Sequence, residues 1–468
     1  MSRGTAKRAR TEHSVVDVSK RELGLLPNRS FSQRFSASED LLRHFGLHRK
    51  LQMHRGSVRT VSFNADGDIL VSGSDDRQVI LWNWETGSVK LSFSSGHTNN
   101  VFQAKFMPFS DDHSIVTCAA DGQVRHAKIL ESGVETSLLG GHQGQAHKLA
   151  IEPGSPFSFY SCGSDGVVKH FDLRTRVATN LFTCKEARLK LVVYLHAIAV
   201  DPRNPNLFAV GGMDEYARVY DIRSYRSDGW YNFGQPVEHF CPLHLIGDEQ
   251  IGITGLTFSH QSELLVSYSD EIIYLFTHDM GLGTNPHSPP SVDENDSDVA
   301  NYRRASPRVY KGHSNRAAVK DVNFFGPKSE YVVSGSDCGR LFIWRKKDSE
   351  LIRAMEADAH VVNCVDSHPH MPLLCSSGTE TDIKIWTPEG SEKTTLLENT
   401  SLASIHGRSS RFLLAGSSDE EDEDNYLYSP PGFYVDDNDD EGSDESSYDD
   451  DDDDDNDGDD GTDVVSGQ

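Results

Sequence analysis

The chain has 468 residues, a formal net charge of −27 and 36% apolar residues. From Asp419 to Asp463 it carries 24 acidic residues and no Lys or Arg; taking those charges from −27 leaves −3, so the low isoelectric point describes one end and not the body. Seven cysteines with no C-x-x-C pair suit thiols in a reducing compartment, not a disulfide framework or zinc cluster, and no apolar run approaches membrane-spanning length.

In chain order, the first 50 residues lean basic, with 11 Lys and Arg against 5 Asp and Glu. Residues 1–35 read as a flexible basic N-terminus. Its start, MSRGTAKRAR, has no apolar run behind the charges and is not a secretory signal. Lys7-Arg8-Ala9-Arg10 is a short nuclear-targeting patch, so the expected locations are nucleus and cytoplasm. Residues 36–46 predict a short helix. Ser36-x-x-Glu39 has the form of a capping box, and Leu41, Leu42 and Phe45 fall on one helical face. Residues 47–53, LHRKLQM, then alternate as a strand does.

A phrase of small residue, Gly, Ser and Asp, followed by apolar alternation and an aromatic, recurs from there on. It reads VSGSDDRQVILWN at 71–83, CGSDGVVKHFD at 162–172, VGGMDEYARVYD at 210–221, VSYSDEIIYLF at 266–276, VSGSDCGRLFIW at 333–344 and CSSGTETDIKIW at 375–386. A weaker copy, CAADGQVRHAKI at 118–129, makes seven. The aspartates 75, 121, 165, 214, 270, 337 and 382 mark most copies at the roughly 40–45-residue period of a four-stranded propeller blade. Two wider gaps hold insertions: 226–246, rich in Gly, Pro and aromatics, and 281–308, rich in Pro, Ser and Asp and expected to be disordered.

Each copy has a physical logic. Asp and Gly suit the tight turn between two alternating strands. His54, His97, His142, His313 and His360 precede blades, and a buried His–Ser–Asp–Trp chain would satisfy its own polar groups while fixing register. The candidates for that chain are His54, Ser72, Asp75 and Trp82, and again His313, Ser334, Asp337 and Trp344. The fold class expected is all-β, a seven-bladed propeller over 47–398. Strand 47–53 would complete the last blade and remove the open edges.

A catalytic reading fails on the same recurrence. Enzymes need one His/Ser/Asp set, and this chain repeats the set at blade spacing. His368-Pro-His370 lacks acidic or Cys partners at ligand spacing, so no metal is expected. No phosphate-binding glycine loop and no dense basic stripe is present, so no cofactor, small-molecule substrate or nucleic-acid partner is expected. The chain reads as a binding platform and not an enzyme.

Residues 399–468 read as a disordered acidic tail. It solubilises, binds a basic partner such as a histone, or is phosphorylated; Ser417, Ser418 and Ser443 each precede acidic residues.

The repeats resemble the WD-repeat family, with the dipeptide degenerate at Trp82-Asn83, Phe171-Asp172, Tyr220-Asp221, Trp344-Arg345 and Trp386-Thr387. Two consecutive copies end alike, HFDLR at 170–174 and VYDIR at 219–223, which places Arg174 and Arg223 one blade apart. This doublet is similar to the WDxR box of WD-repeat substrate receptors of cullin-4 RING ubiquitin ligases, with Phe171 and Tyr220 in place of Trp. The segment from RELGLLPNRS to ILWNWETG and the phrase LHAIAVDPRNPNLFAVGGMDEYARVYDIR resemble the factor-eight-like group of those receptors. The resemblance implies that Asp172, Arg174, Asp221 and Arg223 bind the damaged-DNA-binding adaptor protein, and that the partner on the other side is a protein to be ubiquitinated. The 36–46 helix then has two readings. It packs on the propeller, or Leu41, Leu42 and Phe45 dock into the adaptor. The alternative function is a WD-repeat scaffold or histone-binding factor that uses the acidic tail.

Overall fold

The computed structural model describes residues 13–186, 190–225, 235–248, 250–284, 286, 306–316 and 319–388. Lys7–Arg10, residues 226–234, most of the 281–308 insertion and the whole acidic tail, with Ser417, Ser418 and Ser443, lie outside them.

Short alternating runs separated by Asp/Gly turns give seven four-stranded antiparallel sheets. Blade 1 consists of Val58–Phe63, Ile69–Ser74, Gln78–Asn83 and Ser88–Ser94. Blade 2 runs from Val101–Phe106 to Gly133–Gly141. Blade 3 consists of Ala146–Ile151, Ser158–Gly163, Val167–Asp172 and Val177–Thr183. Blade 4 consists of Leu195–Val200, Leu207–Gly212, Ala217–Asp221 and Glu238–Phe240. Blade 5 runs from Ile253–Phe258 to Arg308–Tyr310, and blade 6 from Val322–Phe325 to Leu351–Glu356. Both insertions contain part of a true outer strand: Glu238–Phe240 lies within 226–246, and Arg308, the last residue of 281–308, opens the fourth strand of blade 5. Blade 2 forms although Ala127 stands where other copies have an aromatic.

Blade 7 is closed by the N-terminus. Its own strands are Val362–Ser367, Leu374–Gly378 and Asp382–Thr387, and the fourth is Gly46–Gln52. That strand pairs antiparallel to Asp382–Thr387, from Gly46 opposite Thr387 to Gln52 opposite Asp382. This closure gives blade 7 its fourth, outermost strand and ties the two ends of the propeller together. Trp82, Trp344 and Trp386 are among the largest fully buried side chains. Apolar clusters fill the spaces between neighbouring blades; one joins Leu51, Ile383 and Ile385 of blade 7 to Val61, Ile80 and Trp82 of blade 1.

Antiparallel order fixes two faces. Turns from first to second and from third to fourth strand lie at one end of each blade, here called the lower face. Turns from second to third strand, with the links to the next blade, form the upper face. In six blades the register of the innermost strand shifts within its first three residues, between Val58 and Thr60, Val101 and Gln103, Ala146 and Lys148, Leu195 and Ala197, Ile253 and Gly255, and Val362 and Cys364. The extra residue re-aims a side chain at the upper mouth of the channel. Below that mouth, Lys148 of blade 3 reaches Asp321, just ahead of blade 6, on the far side of the ring.

The N-terminal stretch read as flexible is helical in part: α1 spans His13–Glu22 and α2 Asn28–Ser36. Local contacts hold the pair, with Arg34 Nη1 donating to Asp17 at 3.1 Å, Phe31 stacked on Phe35, and the Arg21 guanidinium over the Phe31 ring. The helix expected over 36–46 shrinks to α3, Glu39–Arg43, with Ser38 at its N-cap and no side-chain capping bond. Ser36 ends α2, so the capping box does not form. No helix among the described residues is long and apolar enough to cross a membrane.

Candidate partner-docking site

Polar chains inside blades 1 to 3 each use one histidine. In blade 1, Trp82 Nε1 donates to Ser72 Oγ at 2.9 Å, and Ser72 Oγ lies 2.7 Å from His54 Nε2. The other ring nitrogen, Nδ1, meets Asp76 Oδ2 at 2.9 Å. A carboxylate only accepts, so Nδ1 carries the proton and Ser72 donates to Nε2. Burial, countered by Asp76, pulls the His54 pKa below its ordinary value and keeps the ring neutral. The acid is Asp76, not Asp75 as the spacing suggested. Asp75 instead accepts from Arg59 Nε and Nη2. Blades 2 and 3 repeat the chain through His97, Thr117 and Asp121 and through His142, Ser161 and Asp165.

Blade 6 departs from the expectation. Trp344 Nε1 donates to the Lys311 carbonyl at 2.9 Å, Ser334 Oγ to the Gly335 carbonyl at 3.0 Å, and Asp337 is engaged by the buried Lys320 ammonium. His313 packs edge-on against Trp344. The four residues named from sequence therefore share a region without forming the chain, because a lysine takes the acid that the imidazole would have used. In blade 7 Trp386 still reaches Ser376, at 2.8 Å, while His360 is exposed. Among the described residues no group of three or more His, Cys, Asp or Glu is placed to hold a metal.

The Asp-x-Arg pair has a different character. Asp172 and Asp221 end the third strands of blades 3 and 4. In blade 3 the Arg174 backbone N–H donates to Asp172 Oδ1 at 2.9 Å, its Nε to the same oxygen at 3.1 Å, and its Nη2 to Oδ2 at 2.7 Å. Blade 4 repeats this: Arg223 N and Nε donate to Asp221 Oδ1, each at 2.9 Å, and Nη2 to Oδ2 at 2.5 Å. The side chains are 66% and 65% exposed. Hydrogen bonds from Arg174 hold the Asp172 pKa down to about 2, and those from Arg223 lower that of Asp221. Each carboxylate thus fixes one edge of a guanidinium and leaves the rest of its plane open. Equivalent strand ends put both on the lower face, one blade apart. The Arg174 guanidinium also sits 5.5 Å from the exposed Phe157 ring, a neighbour that spacing alone did not reveal.

The helix residues named from sequence divide. Leu42 and Phe45 are fully buried, and their cluster includes Phe325, Tyr331 and Ile343 of blade 6. Phe45 meets Phe325 edge-on, and Arg353 Nη2 donates to the Phe45 carbonyl. They anchor the segment and are not available to a partner; only Leu41 is partly exposed. The exposed apolar residues lie earlier, at Val16, Val18, Leu23, Leu25 and Phe35 on and around α1 and α2. Tyr331 Oη donates to the Ala37 carbonyl and Arg345 to Glu39, which moors this segment at the lower end of blade 6. An open groove of about 1240 Å3 lies there, lined by Arg34, Arg43, Arg308, Lys328 and Lys347 with Glu39 and Glu330 among the acids.

Seven four-stranded sheets, with His–Ser/Thr–Asp chains in blades 1 to 3 and a Trp joining the chain in blade 1, now stand beside a family match. The WD domain, G-beta repeat family matches residues 46–83, 88–126, 305–345 and 350–387. The chain is a seven-bladed WD-repeat β-propeller. Its blades 3 and 4, which carry the cationic pair, fall between the matched stretches.

Among curated proteins, the propeller is similar to DDB1- and CUL4-associated factor 6 of Mus musculus, 33% identical over 274 residues, covering 56% of this chain and 31% of that protein. Protein ALTERED SEED GERMINATION 2 of Arabidopsis thaliana is 30% identical over 305 residues, covering 57% of this chain and 40% of its own length. WD and tetratricopeptide repeats protein 1 of Homo sapiens is 30% identical over 336 residues, covering 65% and 49%. The chain therefore spans from about a third to a half of the length of these relatives.

Proposed function

We propose that this propeller is a substrate-recognition subunit of a cullin-4 RING ubiquitin ligase, bridging the damaged-DNA-binding adaptor to a target protein. The observation that carries the reading is the repeated Asp-x-Arg geometry: two guanidiniums, held alike by their own carboxylates, exposed on one face in adjacent blades. Arg presents a planar fork that bonds bidentately and stacks on aromatics, which suits it to the centre of an interface. The similarity to DDB1- and CUL4-associated factor 6 supports the same direction, and the phrases around the doublet favour the factor-eight-like group.

The docking helices in this reading are α1 and α2, in place of the 36–46 segment. Their exposed apolar residues and the Arg pair share the lower face, so the two contacts raise each other's effective concentration on one adaptor. The receptor performs no bond chemistry; it holds the target near the ligase's catalytic module. Residence in nucleus and cytoplasm goes with this role. Co-purification of the adaptor with wild type and with R174A/R223A tests it. Loss in the variant, with an unchanged melting curve, is expected; wild-type recovery of adaptor removes the main support.

A scaffold or histone-binding role is favoured by one feature, the 24 acidic residues between 419 and 463. Deleting residues 417–468 separates the two. Adaptor binding survives the deletion if the chain is a receptor, whereas binding to core histones is lost if the tail is the working part.

A further inference from the structure

The upper face over blades 3 to 5 differs chemically from the face with the paired arginines. Six large apolar side chains stand out of it: Leu191, Val192, Tyr194, Met213, Leu243 and Ile246, with Leu191 59% and Leu243 64% exposed. They come from three neighbouring stretches of chain. The blade 3–4 link carries Leu191 to Tyr194, the turn inside blade 4 carries Met213, and the blade 4–5 link carries Leu243 and Ile246. The stretches are tied together. Met213 N–H donates to the Tyr194 carbonyl at 2.9 Å, and Gly247 N–H to Glu215 Oε1, two residues after Met213, at 3.0 Å. The blade 3–4 link is itself anchored, by Cys184 N–H to the Gly166 carbonyl at 2.7 Å and by a bridge pairing Lys185 with Val192. Single exposed apolar residues are ordinary on a protein surface; a contiguous set on anchored loops marks an interaction site.

Beside this patch lies a cavity of about 440 Å3 whose charged lining is Lys185, Lys190 and Arg218. No acidic residue lines it among the described residues. Arg218 is buried and held by Asp214, while Lys185 and Lys190 are exposed, and Lys190 immediately precedes Leu191. Toward the channel, the strip continues from Tyr194 to His196, whose ring meets His147 edge-on at 4.9 Å, with His147 stacked on Phe102. Burial holds the pKa of His147 at about 3 and of His196 at about 4, so this inner end is uncharged at neutral pH.

We propose that this upper-face patch docks an extended apolar segment of a partner protein, with an adjoining acidic residue placing its carboxylate in the Lys185–Lys190–Arg218 cavity. On the receptor reading above, that partner is the target, held on the face opposite the adaptor. The cavity end sets the partner's chemistry: its two exposed ammonium groups attract an acidic flank and disfavour a basic one there, while Glu186 and Asp248 adjoin the strip elsewhere.

The test uses the full chain and fluorescein-labelled synthetic peptides with a Leu- and Phe-rich centre between runs of Asp or, as control, runs of Lys. Fluorescence anisotropy should show binding of the Asp-flanked peptide alone. K185E/K190E should weaken it about tenfold or more and admit the Lys-flanked peptide, and L191D/L243D should abolish binding of either. Equal binding of both peptides to wild type, or unchanged binding by L191D/L243D, overturns the proposal. R174A/R223A should keep the peptide. Adaptor co-purification is read on every sample: its absence from wild type overturns the ligase reading, while the peptide arms still judge the patch.

Discussion

Removing the carboxylate of Asp76 should destabilise the propeller far more than removing that of Asp75, one residue earlier. Asp76 accepts three hydrogen bonds, from His54 Nδ1, Arg55 N–H and Gln78 N–H, each at 2.9 Å. The His54 side chain is fully buried, so its Nδ1–H is stranded in Asp76→Ala at a cost of about 1–3 kcal/mol. The two backbone donors sit nearer solvent and add about 0.5–1.5 kcal/mol each at most. A total of about 2–4 kcal/mol follows, since such terms do not add fully. Asp75 pairs with the partly exposed Arg59, an interaction worth about 0–1 kcal/mol. Urea denaturation of the two variants and wild type, followed by tryptophan fluorescence, measures the difference through the midpoint. If D75A loses as much stability as D76A, the assignment of the blade 1 chain is wrong.

Phe45→Ala should cost about 3–5 kcal/mol, against under about 1 kcal/mol for Leu41→Ala, because the first empties a fully buried site; denaturant midpoints give the comparison. Deleting residues 1–36 should leave a cooperative melt but weaken adaptor capture, whereas deleting 1–52 removes the fourth strand of blade 7 and should abolish cooperative unfolding. Stability should fall as pH drops from about 6.5 toward 4. His147, His196, His313 and His368 have folded pKa values of about 3, 4, 4 and 4 through burial, so in this window the unfolded chain binds protons that the folded chain does not. Each contributes up to about 1.4 kcal/mol per pH unit there, and urea midpoints of His147→Gln across that range should show a shallower pH slope than wild type. Arg174→Lys with Arg223→Lys keeps both charges but loses the planar forks, and adaptor affinity measured by calorimetry should fall nearly as far as in the alanine pair.

Seven blades were legible because a turn residue has a strict backbone requirement that recurs wherever the turn does. The weak second copy still formed a blade, since Ala127 needs only to be small and apolar between its neighbours. Spacing could not choose between Asp75 and Asp76, which are adjacent in one turn; the choice depends on which side chain points back at His54. In blade 6 the unread term was Lys320, whose ammonium takes Asp337 from the imidazole. The Asp-x-Arg doublet was readable because its geometry is local, closed within three residues. Periodicity put Leu42 and Phe45 on one face of a helix but said nothing of what covers that face, and blade 6 covers it. The helices α1 and α2 escaped notice because their sequences, HSVVDVSKRE and NRSFSQRFS, have no regular apolar stripe and are held by Arg34–Asp17 and ring contacts.

The pairing of Gly46–Gln52 with Asp382–Thr387 imposes an order on biosynthesis. The strand that seals the ring leaves the ribosome well ahead of its mate, which follows some 330 residues later, a wait of roughly 20–70 s at ordinary translation rates. Throughout that interval the nascent chain has a sticky unpaired ribbon and an incomplete arc, both open to chaperones. A message truncated anywhere upstream of codon 382 yields a product that can never latch, and which displays its own fault as an unmated strand.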